Sequence, residues 1–179
     1  MLHEIIIAGF GGQGVMSMGQ LLAYSGMHED KQVSWLPSYG PEQRGGTANC
    51  SVIISDEPVG SPVISHPSVA IVLNKPSFDK FEPLVSPGGI LIVNSSLVDK
   101  KSSRDDITVI EVPASEIANE IGEPKVANSV ILGTFLKLTN AVSPDSIIEA
   151  LKKVLPERRH NLIPANKVAL EKGAELINK

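Results

Sequence analysis

The sequence predicts an α/β protein: a three-layer α/β/α sandwich around a mixed, mostly parallel sheet, Rossmann-like in kind. Three observations carry this. Short β-branched runs alternate with helical stretches through the middle of the chain. A glycine-rich turn, Gly9-Phe10-Gly11-Gly12-Gln13-Gly14, stands directly between the first such run and the first helix. The runs at 69–73 and 90–93 are apolar without alternation, the pattern of strands buried on both faces. At 179 residues the chain suits one domain, 1–179, around a single core.

Residues 4–8 read as a buried strand, because Ile5, Ile6 and Ile7 are consecutive and β-branched. Residues 15–27 follow as a helix, with Met18, Leu21, Leu22 and Ser25 on one face. Strand, glycine turn and helix together can cradle an anion, through backbone N–H groups and the helix dipole. Gly11, Gly12, Gln13 and Gly14 are the candidate contacts. The same glycines would also serve tight strand-to-helix packing with no ligand. A dinucleotide site needs an acid at the end of the second strand. Here Glu29 and Asp30 precede that strand, and Leu36, Pro37, Ser38 and Tyr39 end it.

Residues 33–36 and 47–55 form the next two strands and are expected to pair antiparallel. The second alternates: Ala48, Cys50, Val52 and Ile54 share one face, while Thr47, Asn49, Ser51, Ile53 and Ser55 share the other. Between them runs Ser38-Tyr39-Gly40-Pro41-Glu42-Gln43-Arg44-Gly45-Gly46. A plain hairpin needs about two to five residues. This longer connection keeps a phenol, a carboxylate and a guanidinium, and loops of that kind carry contacts. Glu42 and Arg44 pairing with each other in solvent is the alternative.

Further along, residues 69–73 and 90–93 are central strands. Asn74 and Asn94 stand at their C-terminal ends, the edge where open α/β sheets bind ligands. Each could equally cap its own loop. Residues 76–85 are a short helix or irregular, with Phe78, Phe81 and Leu84 inward. The stretch 99–106 is a charged, solvated loop, 107–112 a strand, and 113–121 a short helix stopped by Gly122. Asn128 is expected to cap a helix over 129–141 that is apolar almost all round. Such a helix is covered on several sides, by its own domain or by a second subunit. Ser143-Pro144 opens another helix. Pro156-Glu157-Arg158-Arg159-His160 breaks it, as a solvated turn or a phosphate contact. Pro164 starts the last helix.

A formal charge of −4 and a pI near 5.6 argue against nucleic-acid binding. No apolar run approaches the roughly 20 residues of a membrane span. The N-terminus has no signal-peptide pattern, so a cytoplasmic location is expected. Cys50 is the only cysteine and falls on an apolar strand face. One thiol cannot hold an iron–sulfur cluster, and the four histidines are scattered. No metal site, no convincing nucleophile and no general base are expected in this chain.

The glycine turn and the Ser38–Gly46 loop, in that order, resemble the gamma subunit of 2-oxoacid:ferredoxin oxidoreductases. The resemblance runs along nearly the whole chain, through Asn94, Asn128 and the helical C-terminus. It implies a multisubunit enzyme that converts a 2-oxo acid and coenzyme A (CoA) to acyl-CoA, carbon dioxide and reduced ferredoxin. The 2-oxoglutarate and branched-chain branches are the nearest in form. Thiamine diphosphate and iron–sulfur clusters are then expected in alpha, beta and ferredoxin-like delta partners, with ferredoxin as acceptor. For this chain it implies docking and a wall of the CoA or substrate region, carried by Gly11, Gly12, Gln13, Gly14, Tyr39, Glu42, Arg44, Gly45, Gly46 and Asn94. The isolated chain is expected to be inactive and to self-associate. A stand-alone Rossmann-type nucleotide-binding protein and a purely structural subunit are the competing readings.

Overall fold

Ile5, Ile6 and Ile7 sit at the centre of the protein because their strand is covered on both faces. The computed structural model describes residues 1–39 and 47–178, with Tyr39 as backbone only. Among the described residues, six strands form one sheet in the order β2-β3-β1-β4-β5-β6. They are β1 (Leu2–Phe10), β2 (Gln32–Tyr39), β3 (Thr47–Ser55), β4 (Val69–Val72), β5 (Ile90–Asn94) and β6 (Thr108–Val112). β1, β4, β5 and β6 pair in parallel; β3 runs antiparallel to both β1 and β2. The expected mixed, mostly parallel sheet is therefore present, with β3 as its single reversed strand.

The helices are α1 (Val15–His28), α2 (Lys75–Phe81), α3 (Ala114–Ile121), α4 (Ala127–Thr139), α5 (Pro144–Val154) and α6 (Ile163–Glu175). Alternation along the strands divides them between two cores. Ile5, Ile7, Cys50, Val52, Ile54 and Ile71 point to a large core with α1, α3, α4, α5 and α6. Ile6, Ala8, Ala70, Val72, Leu91 and Val93 point to a smaller one with Phe78 and Phe81 of α2. The sandwich has its three layers, but the second helical layer is one short helix.

Local signals placed most helix ends. Gly122 closes α3 at φ 91°, and Ser143 caps α5 by accepting from the Ser146 N–H at 3.2 Å, with Pro144 in the first turn. One expectation fails. Asn128 lies inside α4, whose N-cap is Val126 with no side-chain cap, because a 3-10 turn (Pro124–Val126) leads straight into the helix. The all-apolar character of α4 is accounted for within the chain: Ser129 to Leu136 are all buried against α3, α6 and the sheet. The charged loop before β6 is also more than solvated. Arg104 donates to the carbonyls of Glu82 and Val85, both at 2.8 Å, and forks onto Asp106.

Helices α4 and α6 cross at backbone contact. A Cβ built on Gly133 would strike the Leu170 carbonyl, and one on Gly173 the Val130 carbonyl. Thr134 Oγ1 donates across the crossing to the Gly173 carbonyl at 2.8 Å, and Ser129 Oγ donates to Asn166 Oδ1 at 2.5 Å. These two bonds satisfy buried polar groups that the close approach would otherwise strand.

Candidate functional site

The turn after β1 is held by its own residues. The Gln13 N–H donates to the Phe10 carbonyl at 3.2 Å, closing a four-residue turn. Its third residue, Gly12, takes φ 90°, the value a type II turn requires there. Gly14 follows at φ 79° as the N-cap of α1 and offers no side chain. The first helical bond runs from the Met18 N–H to the Gly14 carbonyl at 3.0 Å. The N–H groups of the first turn, Val15 to Ser17, thus have no intrahelical acceptor and carry the positive end of the helix dipole.

Two side chains brace this turn. Gln13 folds back beneath it: Oε1 accepts from the Phe10 N–H at 2.6 Å, and Nε2 donates to the Leu73 carbonyl at 3.2 Å. Asn128 Nδ2 donates to the Gln13 carbonyl at 2.9 Å, tying the turn to α4. Gly9 is required for packing, since a Cβ there would come within 2.5 Å of Gln13 Oε1 and 3.0 Å of the Leu73 Cβ.

The Gln13 latch matters because of where it lies. β1 leads into α1 on one face of the sheet, and β4 leads through Asn74 into α2 on the other. The crevice between the C-terminal ends of β1 and β4 is therefore the topological switch point, the usual ligand crevice of open α/β sheets. The Gln13 amide spans it, from Phe10 at the end of β1 to Leu73 just beyond β4. Access to the turn remains from its other side. There a groove of about 460 Å³ runs between the turn and the helical layer, with Gly12, Gly14, Ser17, Lys125, Asn128 and Arg159 among its walls. Lys125 and Arg159 are both exposed. Two cations beside an uncapped helix start suit an anionic group.

The predicted residues distribute as follows. Gly12, Gln13 and Gly14 line the groove, and Gly11 is exposed at the tip of the turn. Tyr39 is the last residue of β2, opposite Ala48. Glu42, Arg44, Gly45 and Gly46 lie outside the described residues. Asn94 does not join the turn. It is buried at the end of β5, two strands from β1, where Oδ1 accepts from the Ser96 N–H at 3.2 Å. Asn74 likewise caps α2 by accepting from the Ser77 N–H at 2.8 Å. Both asparagines thus serve their own loops through Oδ1, while Asn94 Nδ2 donates to Ser115 Oγ of α3 at 3.5 Å and Asn74 Nδ2 is buried with no partner among the described residues. Cys50 is fully buried and donates to the Val15 carbonyl at 3.5 Å, and burial raises its thiol to about 11. It is a core thiol. The basic cluster splits: Arg159 faces the groove, while the His160 ring bonds the Leu155 carbonyl at 2.9 Å and finishes α5. Sequence reasoning missed Lys125 and the bracing role of Asn128. Only the fold brings them beside a turn more than a hundred positions earlier in the chain.

The Gln13 side chain occupies the crevice at the sheet edge where open α/β folds seat a dinucleotide. The class that this geometry defines is an α/β module presenting its glycine turn outward, toward the groove. Matching over residues 4–176, the chain belongs to the pyruvate ferredoxin/flavodoxin oxidoreductase family. It is 44% identical over 173 residues to the ketoisovalerate oxidoreductase subunit VorA of Methanothermobacter thermautotrophicus, covering 96% of this chain and 36% of that protein. It is 36% identical to the 2-oxoglutarate synthase subunit KorC of Methanocaldococcus jannaschii, covering 98% and 94%. The chain thus spans about a third of the VorA relatives and nearly all of the KorC ones. Among solved structures, the keto/oxoacid ferredoxin oxidoreductase gamma subunit of Geobacter sulfurreducens superposes with a TM-score of 0.83 at 32% identity, over 98% of this chain and 95% of that one.

Proposed function

We propose that this chain is the gamma subunit of a cytoplasmic, thiamine-diphosphate-dependent 2-oxoacid:ferredoxin oxidoreductase. The observation that carries the reading is the family match over nearly the whole chain, supported by full-length similarity to a gamma subunit and to KorC. The complex would convert a 2-oxo acid and CoA to acyl-CoA and carbon dioxide while reducing ferredoxin. Thiamine diphosphate and iron–sulfur clusters would sit in its alpha, beta and delta partners and supply the decarboxylation and electron transfer. 2-Oxoglutarate is the favoured substrate, because KorC matches this chain end to end. A branched-chain 2-oxo acid is the second reading, favoured by the higher identity to VorA.

The residues fit a share in CoA binding. The groove beside Gly12 and Gly14 offers amides at a helix start, flanked by Lys125 and Arg159, and CoA carries phosphates. Lys125 and Arg159 would neutralise those phosphates, while Gln13 and Asn128 keep the turn in shape. Arg44 would offer a permanently charged fork to a carboxylate or phosphate of substrate or partner. Glu42 would orient it, and Tyr39, Gly45 and Gly46 would complete that docking loop. No proton transfer or nucleophilic step is assigned to this chain.

The test is reconstitution. Partner subunits assayed for CoA-dependent 2-oxo acid oxidation should lose most activity without this chain and recover it when the chain is added. Lys125→Ala with Arg159→Ala should raise the KM for CoA more than that for the 2-oxo acid. Full activity of the partners alone would dismiss the reading. So would turnover of a 2-oxo acid or of a nicotinamide by the isolated chain.

A further inference from the structure

Among the described residues, the second face of the sheet is finished over only part of its width. α2, the 3-10 turn Glu82–Leu84 and Val98 close it over β4 and β5. Over β2 and β3 the packed helix is α1, which lies on the opposite face. Strand register fixes what the open part presents. Its rows are Leu36–Ser51–Ile6, Ser38–Asn49–Ala8 and Ser34–Ile53–Glu4, of which Ile6, Ala8 and Ile53 are already buried, so the open part lies mainly on β2 and the polar positions of β3. Leu36 is 42% exposed and Phe10 at the rim 38%, while Asn49 and Ser51 are half-buried.

We infer that this open face of β2 and β3, with Phe10 at its rim, is the docking surface for a folded companion polypeptide. The companion is the counterpart of the two-thirds of VorA that this chain does not match. The inference rests on the gamma-subunit reading and adds the face that is used. The chemistry of the surface selects the class of occupant. Small hydroxyl and amide side chains between Leu36 and Phe10 allow close approach and supply hydrogen bonds, as protein interfaces do. Glu4 is the only charge in those three rows, which disfavours a polyanion. The VorA relatives supply the argument for a companion. There the same unit belongs to a polypeptide nearly three times as long, so a further segment is held beside it by covalent linkage.

Area decides how far the surface must extend. Two strands at about 4.8 Å spacing and eight residues at about 3.4 Å give roughly 260 Å². A stable interface buries about 800 Å² per partner. The contact must therefore continue past the strands. A groove of about 440 Å³ adjoins them, formed by Leu2, Glu4 and Ile53 against the segment carrying Asp56, Val59 and Val63. Val63 is 65% exposed and Leu2 57%, set among Glu4, Asp56 and Glu57, so the surface continues in that direction with a mixed apolar and acidic character.

The test uses the full chain, tagged and co-expressed with the source organism's homologue of the remaining VorA segment. Leu36→Glu and Ser51→Arg alter the open face, and Val168→Glu on α6 is the control. Wild type and the control should co-purify with the companion. Leu36→Glu and Ser51→Arg should bind at least about tenfold more weakly. Hydrogen exchange on the wild-type complex, which needs no variant to fold, should show residues 34–36 and 49–53 protected relative to the free chain. Unchanged binding by both face variants, or no added protection, overturns the docking face and leaves the subunit reading standing. Failure of the wild type to associate overturns the subunit reading itself. A free-chain dimer that Leu36→Glu dissociates, with the companion still bound, would make a second copy the occupant and also overturn the inference.

Discussion

Replacing Gly173 by alanine should be among the most damaging single-methyl additions to this protein. Two effects oppose each other. Alanine is the better helix former by about 1 kcal/mol, so an exposed position would gain. At Gly173 the new Cβ falls far inside the 3.0 Å that real Cβ contacts respect, and its neighbour is the Val130 backbone carbonyl, which cannot rotate away. α4 and α6 must part by about 1 Å, and overpacking of this kind costs about 1–3 kcal/mol. Parting also stretches the 2.8 Å bond from Thr134 Oγ1 to the Gly173 carbonyl. Losing that buried bond costs about 1–3 kcal/mol more. The net expectation is about 3 kcal/mol of destabilisation, or a Tm lower by roughly 6–12 °C at this chain length. Urea unfolding followed by circular dichroism measures it, with Gly60→Ala as control because no atom lies near its Cβ. A Gly173→Ala protein as stable as wild type would refute the claim that the two helices touch along their backbones.

Gln13→Ala should cost about 2 kcal/mol, because the Phe10 N–H and the Leu73 carbonyl both lose a partner; the same unfolding assay checks it. Glu29 accepts from the Ser143 N–H and from Ser146 Oγ, both at 2.6 Å. Burial opposes its ionisation, yet those bonds and Lys31 hold its carboxyl below the usual glutamate value. Its contribution is therefore present above pH 4.5 and lost as pH falls through the lower folded-state value. Glu29→Gln should shrink the stability difference between pH 7 and about pH 3.5, and an undiminished difference would count against it. Cys50, raised to about 11 and buried, should resist a thiol reagent at pH 8 until the chain is unfolded in urea.

Much of the fold was legible because its signals are local. The β-branched runs, Gly122 and Ser143-Pro144 each act on their own neighbours, and each stands where the pattern placed it. Asn128 misled for the same reason. Its residue type suits a cap, but the 3-10 turn before it starts the helix earlier and frees its amide for Gln13. The glycine turn was readable as an element, whereas its wiring was not. Gln13 reaches Leu73 sixty positions on, and Lys125 and Arg159 arrive through the packing of the helical layer. Arg104 was hidden too, since its partners are main-chain carbonyls that no residue pattern announces.

The Gln13 latch has a thermodynamic consequence for whatever meets the turn. A flexible glycine loop loses conformational entropy on gripping a ligand, at about 1–2 kcal/mol per residue fixed. Here Gln13 and Asn128 settle that cost during folding. An anion bound there, as proposed above, would find its donors already aligned, so more of the contact energy would become affinity.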